Sequence, residues 1–194
     1  MIDRLFRNWV YGGFLSAFIL IGFGFVFLQT SQLLLLLIYL HLPIYQIHQF
    51  EEHDRDRFRI YINRELGGGL ELLGPGAVFV INIVGVWFLF AVLISLAFLI
   101  SPGWGLGAVY ATLINAVIHV ASALRSRSYN PGLVTSVILF LPLSIIASIL
   151  SFQNVDINWM DQLSGLAIGV GLHLLIVFYC AVQWKFKRLE RNSG

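Results

Sequence analysis

Charged residues are scarce in this chain, and their scarcity excludes most classes of protein. Of 194 residues, only 11% are Asp, Glu, Lys or Arg, while 58% are hydrophobic, and the mean hydropathy is +0.84. Soluble domains are about half apolar and about a quarter charged, and disordered chains carry few apolar residues. The composition therefore excludes a soluble globular domain and a disordered chain. It predicts a single integral membrane domain over residues 1–194.

Cysteine is nearly absent as well. Cys180 is the single cysteine, so no disulfide can form within the chain and a thiolate metal site is not expected. The amino-terminal segment carries Arg4 and Arg7 ahead of an apolar run over residues 10–28, as a secretory signal peptide would. That run is too long for the apolar region of a signal peptide, and no small-residue cleavage site follows it. We therefore expect it to be the first membrane helix.

Long apolar segments dominate the rest of the chain. A helix needs about 20 apolar residues to cross a bilayer, and six segments approach this length. They cover residues 10–28, 32–50, 77–100, 104–124, 133–151 and 162–184. Pro43 lies inside the second segment and is a candidate site for a kink. The pattern predicts an all-α polytopic membrane helix bundle with about six transmembrane helices.

The basic residues predict the orientation of this bundle. All twelve Lys and Arg fall in four stretches that six alternating helices place on one side, at residues 4–7, 55–64, 125–127 and 185–191. The loops of the opposite side contain no Lys or Arg; these loops are Gln29–Ser31, Ser101–Gly103 and Phe152–Asp161. Since Lys and Arg concentrate in cytoplasmic loops, we expect both termini to be cytoplasmic. The expected location is the bacterial cytoplasmic (inner) membrane.

One sizeable cytoplasmic segment lies between the second and third membrane helices, at residues 51–76. Its first half, residues 51–66, mixes charged residues with apolar ones. This spacing predicts an amphipathic helix at the membrane surface, although the alternation around Phe58 also suits a short strand. The second half has two glycine clusters around a short apolar stretch, which predicts a hinged loop. The sequence assigns no role to Glu71 in this loop.

His48, Glu51 and Glu52 form the sharpest local feature, at positions i, i+3 and i+4. If the second helix continues through them, all three lie on one face. Glu52 then lies about 40° round the axis from His48, and Glu51 lies about 60° round on the other side. His48 and Glu52 are thus placed to bind one divalent cation, and Glu51 is predicted to act as a general base or as a neighbouring carboxylate that orients a metal-bound water. Alternatively, the three residues form a polar helix end that meets the cytoplasm.

His119 is predicted to reach the same depth in the membrane as His48. Each of the two histidines precedes an arginine of the cytoplasmic side by six or seven residues, which is about 10 Å at ~1.5 Å per residue. The second and fourth helices both run toward the cytoplasm, so the two imidazoles can share one metal site. Asn115 lies one turn deeper and is predicted to orient His119 or to polarise a substrate carbonyl. The alternative for His119 is a hydrogen bond within the bundle.

Other polar residues are candidates for a second layer around this site. His41 and His173 lie deeper and can line the site or form hydrogen bonds between helices. His53 follows the glutamates in a charged run and is expected to be a solvated surface residue. The arginines of the loop after the fourth helix are expected to anchor it at the membrane surface, with an anionic headgroup site as the alternative. The positions considered for the second layer or for substrate contact are His41, His173, Arg127, Tyr129, Asn130 and Thr135.

Three short motifs occur in order along the chain. They are His48-Gln49-Phe50-Glu51-Glu52, Asn115-Ala116-Val117-Ile118-His119 and Tyr129-Asn130-Pro131-Gly132-Leu133-Val134-Thr135. In this order they resemble the HxxEE, NAxxH and YNPGxxT signatures of the HXXEE family of predicted integral membrane proteins. The resemblance spans about residues 33–182. No activity is established for that family, so the resemblance implies only an enzymatic or metal-dependent function.

A metal-dependent enzyme within the membrane is the first functional hypothesis. His48, Glu52 and His119 would be the metal ligands, and Glu51 and Asn115 the catalytic residues. This ligand set favours zinc, with iron or manganese as alternatives. Hydrolysis of a lipid or other amphiphile at the cytoplasmic interface is the simplest chemistry for such a set. The expected partners are therefore the lipid bilayer and an amphiphilic substrate, with no nucleic acid.

Three other functions remain consistent with the sequence. A carboxylate-rich di-iron oxygenase is one, although five histidines are too few for the histidine boxes of membrane desaturases. A small transporter is another, because intramembrane His and Glu residues mark ion paths; against it, the candidate residues crowd one side and no internal repeat is evident. In a non-catalytic interaction protein, the polar cluster would be structural.

Overall fold

A computed structural model describes residues 2–28 and 32–193 of the chain, and almost all of these residues are helical. The helices are α1 (Ile2–Leu28), α2 (Leu33–His53), α3 (Arg57–Glu65), α4 (Pro75–Leu99), α5 (Pro102–Ser126), α6 (Leu133–Gln153) and α7 (Trp159–Ser193). Six candidate membrane spans, long and apolar enough to cross a bilayer, occur in the described residues; each covers all or most of one long helix, and the second, Leu33–Glu65, includes α3 as well as α2. The predicted all-α bundle with six such helices is confirmed. The predicted loop Gln29–Ser31 lies outside the described residues.

Successive long helices run in alternating directions. The hydroxyl of Tyr11, near the start of α1, donates to Asp54 just beyond the end of α2 at 2.9 Å. At the other end of the bundle, Gln162 near the start of α7 donates to Ser151 near the end of α6 at 3.0 Å. This alternation gathers the four basic stretches at one end, which we call the basic end. That the basic end faces the cytoplasm stays a prediction.

Helix α2 is the central helix of the bundle. Its Ile38 shares one buried apolar core with Phe90 of α4, Leu106 of α5 and Phe140 of α6. The helix continues without interruption through Pro43. Because neighbours surround α2, the polar side chains at its basic end are buried as well, and buried polar groups need partners.

A sharp turn at residues 54–56 follows α2 and reverses the chain. Arg55 and Asp56 have positive φ angles of 55° and 60°, and left-handed backbone costs a non-glycine residue about 1–2 kcal/mol. Arg57 offsets part of this cost, since its side chain donates to the backbone carbonyl of Asp54 at 3.0 Å and to its carboxylate at 3.2 Å. After this turn α3 forms the predicted amphipathic helix, and the described residues of this segment include no strand. The two glutamates of the first motif belong to α2.

The glycine-rich loop after α3 is fastened to that helix by Asn63. Oδ1 of Asn63 accepts hydrogen bonds from the amides of Leu72 and Leu73, both at 2.9 Å, and its Nδ2 donates to the carbonyl of Leu73 at 3.0 Å. Arg59 of α3 also pairs with Glu71 at 3.1 Å. The loop that the sequence predicts as hinged is thus held against α3. Its residue Leu73 is buried.

Candidate metal centre

Two imidazoles and one carboxylate converge near the basic end of the bundle. His48 and Glu52 lie one turn apart on α2, and His119 faces them from α5. His48 Nε2 is 3.4 Å from Glu52 Oε2, and His119 Nε2 is 3.1 Å from Glu52 Oε1. All three side chains are buried, and their ligand atoms lie within 4.8 Å of one another. The structure thus brings together the three residues predicted as metal ligands, which we call the His–Glu–His group.

The orientation of His48 is set through Thr135 at the start of α6. Thr135 Oγ1 donates to Glu51 Oε2 at 2.6 Å and lies 2.8 Å from His48 Nδ1. A hydroxyl carries a single hydrogen. Because the carboxylate takes that hydrogen, the hydroxyl oxygen accepts the Nδ1–H of His48. Neutral His48 therefore directs the lone pair of its Nε2 toward Glu52.

Asn130 fixes His119 in a similar way. Its Nδ2 donates to the backbone carbonyl of His119 at 2.9 Å, so its Oδ1 is the atom that faces His119 Nδ1, at 2.6 Å. The proton of neutral His119 thus lies on Nδ1, and the lone pair of Nε2 points to Glu52. The sequence suggested Asn115 for this orienting role. The structure gives the role to Asn130, because the turn after α5 folds back over the imidazole.

Acceptor atoms therefore face one another across the His–Glu–His group. Nε2 of His48 is buried and has no hydrogen-bond partner in the described part of the chain. Buried acceptors that face one another are unfavourable unless a proton or a cation lies between them. Two ligands at ~2.0–2.1 Å from one zinc ion are at most about 4.2 Å apart. Each imidazole nitrogen lies within that distance of one Glu52 oxygen, His48 of Oε2 and His119 of Oε1. Histidines whose second nitrogen donates to a fixed acceptor are typical of metal centres.

Glu51 binds the start of α6 instead of facing the group. Its Oε1 accepts hydrogen bonds from the hydroxyl of Tyr129 at 2.9 Å and from the amide of Val134 at 3.1 Å. Its Oε2 accepts from the amide and the hydroxyl of Thr135, at 2.8 and 2.6 Å. A carboxylate at a helix amino terminus is favoured by the helix dipole. The predicted general-base role of Glu51 stays a prediction, while these contacts make it a positioning residue that acts on His48 through Thr135.

Tyr129 remains a hydrogen-bond donor in this network. Burial and the hydrogen bond to the Glu51 carboxylate raise the pKa of Tyr129 to about 12. The hydroxyl is therefore protonated at physiological pH, and its hydrogen is available to Glu51.

Gly132 allows the turn after α5 to pass directly over the His–Glu–His group. Its φ angle is +99°, a left-handed value that favours glycine. A Cβ atom at this position would lie 2.7 Å from Cε1 of both His48 and His119, and 2.8 Å from Cγ of Glu52. Glycine is thus favoured here both by the positive φ angle and by the lack of space for a Cβ atom. The turn closes one side of the site.

Asn115 lies one turn deeper than His119 and shares its cavity-facing side. Its Nδ2 donates to the hydroxyl of Tyr45 at 3.0 Å. Its Oδ1 is buried and has no hydrogen-bond partner among the residues that the structure describes. Asn115 therefore offers an acceptor to the neighbouring cavity, and its role in polarising a carbonyl stays a prediction.

His53 lies inside the site, contrary to the expectation that it is solvated. The residue is only 7% exposed, and its Nε2 is 3.5 Å from Glu52 Oε2. Trp9 of α1 and Phe58 of α3 pack against its ring, with centroid separations of 5.2 and 5.4 Å. The turn after α2 folds α3 back over His53. Because that turn uses non-glycine residues with positive φ, the local sequence did not signal it.

The other predicted positions lie outside the His–Glu–His group. His41 is buried deeper on α2, where Nδ1 bonds the backbone carbonyl one turn earlier at 2.7 Å and Nε2 lies 3.3 Å from Ser144 of α6. His173 of α7 bonds the carbonyl of Gly169 at 2.8 Å and lines the cavity described next. Arg127 is exposed in the turn after α5. His41 thus forms the interhelical hydrogen bond that the sequence offered as an alternative.

A cavity of about 260 Å³ adjoins the group. Glu52, His53 and His119 form part of one wall, together with Asn115. Most of the other lining residues are apolar and come from α3, α4, α5 and α7. The structure therefore joins a polar group with metal-ligand geometry to an apolar space of the size of a small ligand.

Comparison with protein-family models gives a match over residues 39–147, which is more than half of the chain. The matching model is described as a protein of unknown function with HXXEE motif, and its range contains His48, Glu52, His119 and Thr135. Comparisons with curated proteins and with solved structures gave no significant match. The chain therefore belongs to the HXXEE family.

Proposed function

We propose that this chain is a metal-dependent membrane enzyme that hydrolyses an amphiphilic substrate near the basic end of the bundle. The proposal is carried by one observation: two imidazole nitrogens, each with its lone pair turned inward, converge on one buried carboxylate. His48, Glu52 and His119 would hold the ion. Two histidines and one carboxylate leave a coordination position open, as in catalytic zinc sites.

Zinc is the favoured ion for this donor set, and iron and manganese accept it too. When bound, the ion would polarise a carbonyl or phosphoryl oxygen and lower the pKa of water toward neutrality. Both oxygens of Glu51 are already engaged by the start of α6. Among the described residues, the candidate group therefore has one available carboxylate, which supports a single-ion centre over a di-iron centre.

His53 is the residue best placed to accept a proton during hydrolysis. It lines the cavity beside Glu52, and its Nδ1 is buried without a hydrogen-bond partner within the described ranges. An imidazole nitrogen without a hydrogen-bond partner can take a proton from water and return it to a leaving group. This geometry favours His53 over Glu51 as the general base.

Metal analysis of the purified full-length protein tests the proposed site. We expect a stoichiometric transition metal, which His48→Ala, His119→Ala and Glu52→Gln should lose because each removes a ligand. His41→Gln is the matched control, since it alters a buried histidine of the same helix that lies outside the group. A folded protein that takes up no zinc, iron or manganese, or ligand variants that keep the metal, would overturn the proposal.

Hydrolysis of probes with a single twelve-carbon chain tests the reaction. Metal-loaded protein should cleave at least one of three single-chain substrates. They are p-nitrophenyl laurate, lauroyl anilide and lauryl phosphate. We expect His53→Gln to retain the metal and to lower the rate about 100-fold, as loss of a general base does. An unchanged rate would remove His53 from the mechanism. Metal binding without cleavage of any probe would contradict hydrolysis and leave the metal site standing.

A further inference from the structure

The cavity beside the His–Glu–His group has the walls of a site for a hydrocarbon chain. Its lining residues, all within the described part of the chain, include no Lys, Arg or Asp, and Glu52 is their one carboxylate. The apolar walls come from four helices and the loop after α3; examples are Phe58, Ile62, Leu73, Val86, Ile118 and Val177. Burying a charged or strongly polar group against these apolar walls would leave it without partners, which is costly. The space therefore suits an apolar occupant.

One end of the cavity is polar, which gives an occupant a direction. Glu52, His53 and His119 lie there, and Asn115 adds a buried Oδ1 without a partner among the described residues. Small-ligand sites combine apolar walls with a few converging polar groups of this kind. A molecule with an apolar chain would place its polar end at the His–Glu–His group.

Exposed side chains of α5 and α7 line the cavity, which places an opening between these two helices. Ile118 of α5 and Val177 of α7 both line it, yet they are 48% and 63% exposed. Ile118 lies seven residues before Arg125, and Val177 lies eight residues before Lys185. At ~1.5 Å per residue, the two exposed side chains lie about 10 and 12 Å from those charges, within a hydrocarbon core about 30 Å thick. The gap therefore faces the lipid tails.

Close contacts between α5 and α7 lie away from this gap. Away from the basic end the helices touch closely: a Cβ at Gly165 would lie 2.6 Å from Cβ of Leu106, and one at Gly169 would lie 2.8 Å from the amide nitrogen of Ala111. Toward the basic end, both helices contribute side chains to the cavity between them. The closest glycine contacts of the pair thus lie away from the site, and both helices line the cavity at the end that holds the site.

We infer that the substrate is a single-chain membrane amphiphile that enters sideways through the gap between α5 and α7. This inference rests on the proposed function for the chemistry at the polar end. The cavity volume of about 260 Å³ lies just below the ~300 Å³ at which small-ligand pockets begin. We take this volume to hold one chain with its reactive bond near Glu52 and to leave no room inside the cavity for a second chain.

Photocrosslinking of the full-length protein in nanodiscs made of diacyl lipid tests this inference. The probe is a lauric acid that carries a diazirine in its chain, and peptide mass spectrometry locates the crosslinks. We expect crosslinks to cavity residues that face away from the bilayer, such as Val86 and Leu73. A diacyl lipid that carries the same diazirine should label only the outer faces of the helices.

Tryptophan substitutions in the gap provide matched variants. Ile118→Trp and Val177→Trp should lower cavity crosslinking about tenfold, the effect of losing ~1.4 kcal/mol of binding. Val117→Trp and Leu174→Trp are the controls, since both positions are exposed on the same helices and do not line the cavity. Equal losses in gap and control variants, or equal cavity labelling by the diacyl probe, would overturn the inference.

Metal content measured on the same samples separates this inference from the proposed function. Protein that holds its metal but shows no cavity crosslinks contradicts the lateral chain site and leaves the metal enzyme standing. Protein that shows cavity crosslinks but binds no metal contradicts the proposed function and leaves the lateral chain site standing.

Discussion

At the scale of single residues, hydrogen bonds decide which nitrogen of each imidazole carries the proton. Thr135 is the junction of this network, because its hydroxyl donates to Glu51 and accepts from His48. Glu51 and His48 lie on the same helix, but the carboxylate acts on the imidazole only by way of α6. The start of α6 is therefore part of the candidate metal centre even though it supplies none of the predicted ligands.

Substituting Thr135 tests this network. Thr135→Val keeps the shape of the side chain and removes the hydroxyl, so the Nδ1–H of His48 loses its acceptor. We expect the metal dissociation constant to rise about 10- to 100-fold, as it does when a partner of a metal-binding histidine is removed. Competition with a chromophoric chelator measures it.

Thr135→Ser is the matched control, because serine retains the hydroxyl. Its metal dissociation constant should stay close to that of the unaltered protein. An unaltered constant in Thr135→Val would show that the hydroxyl does not orient His48. An equal loss in both variants would assign the effect to the packing of the methyl group.

At the scale of elements, the end of α2 and the start of α6 stabilise each other. The first amides of a helix have no partner within it, and in α6 those of Val134 and Thr135 bond Glu51. Glu51 reaches them because α2 extends to His53, beyond the apolar run that ends near residue 50. This extension of α2 also carries Glu52 to the face that meets α5.

Close packing of α7 on α5 is the second interaction between elements that the site requires. Hydrophobic burial does not drive helices together inside lipid, so close van der Waals contact between small residues holds them. Gly165 and Gly169 provide this contact at the end of the pair away from the site. Toward the basic end, side chains of both helices line the cavity.

Adding a methyl group at Gly165 tests this packing. In Gly165→Ala, the new Cβ would lie 2.6 Å from Cβ of Leu106 and 2.9 Å from its carbonyl carbon. We expect a loss of about 1–3 kcal/mol in the free energy of unfolding, as for other overpacked sites. Denaturation in mixed micelles, followed by circular dichroism, measures this loss.

Gly171→Ala is the control on the same helix, since a Cβ there has no atom within 4 Å among the described residues. Alanine is a better helix former than glycine by about 1 kcal/mol, so this variant should be as stable as the unaltered protein or more so. A stable Gly165→Ala protein, or equal effects at both positions, would contradict close packing as the support of the α5–α7 pair.

At the scale of the whole molecule, the distribution of charge and the alternation of the helices give the same topology. Six long helices in alternating directions place every Lys and Arg at or near the basic end. The positive-inside rule then predicts that the basic end and both termini are cytoplasmic. The His–Glu–His group would accordingly be reached by water from the cytoplasm.

Cysteine labelling of intact cells tests this orientation in a Cys180→Ala background. A cysteine introduced at the exposed position Glu65 should resist a membrane-impermeant maleimide until the cells are opened. A cysteine at Asp156, exposed at the opposite end, should react at once and serves as the control. Labelling of the Glu65 position in intact cells would reverse the topology.

The sequence by itself determined the class of fold and the central pair of the candidate site. Lipid offers no hydrogen bonds to the backbone, so apolar runs of about 20 residues have to be helices, and the six predicted runs correspond to six long helices. Helix periodicity also predicts that His48 and Glu52 are neighbours, because that contact lies within one turn. Matched depth on two helices predicts His119 as the third member.

Only the tertiary structure decided what surrounds these three residues. Asn130 orients His119 from a turn, Thr135 orients His48 from another helix, and His53 is buried because the chain reverses at two left-handed residues. The cavity likewise is formed by side chains from several helices and the loop after α3. Hydrogen bonds and packing depend on distance and direction between atoms in space. A sequence pattern records contacts within a turn or two and the depth of a residue in the membrane, so it could group residues of different helices but could not specify which atoms pair between them.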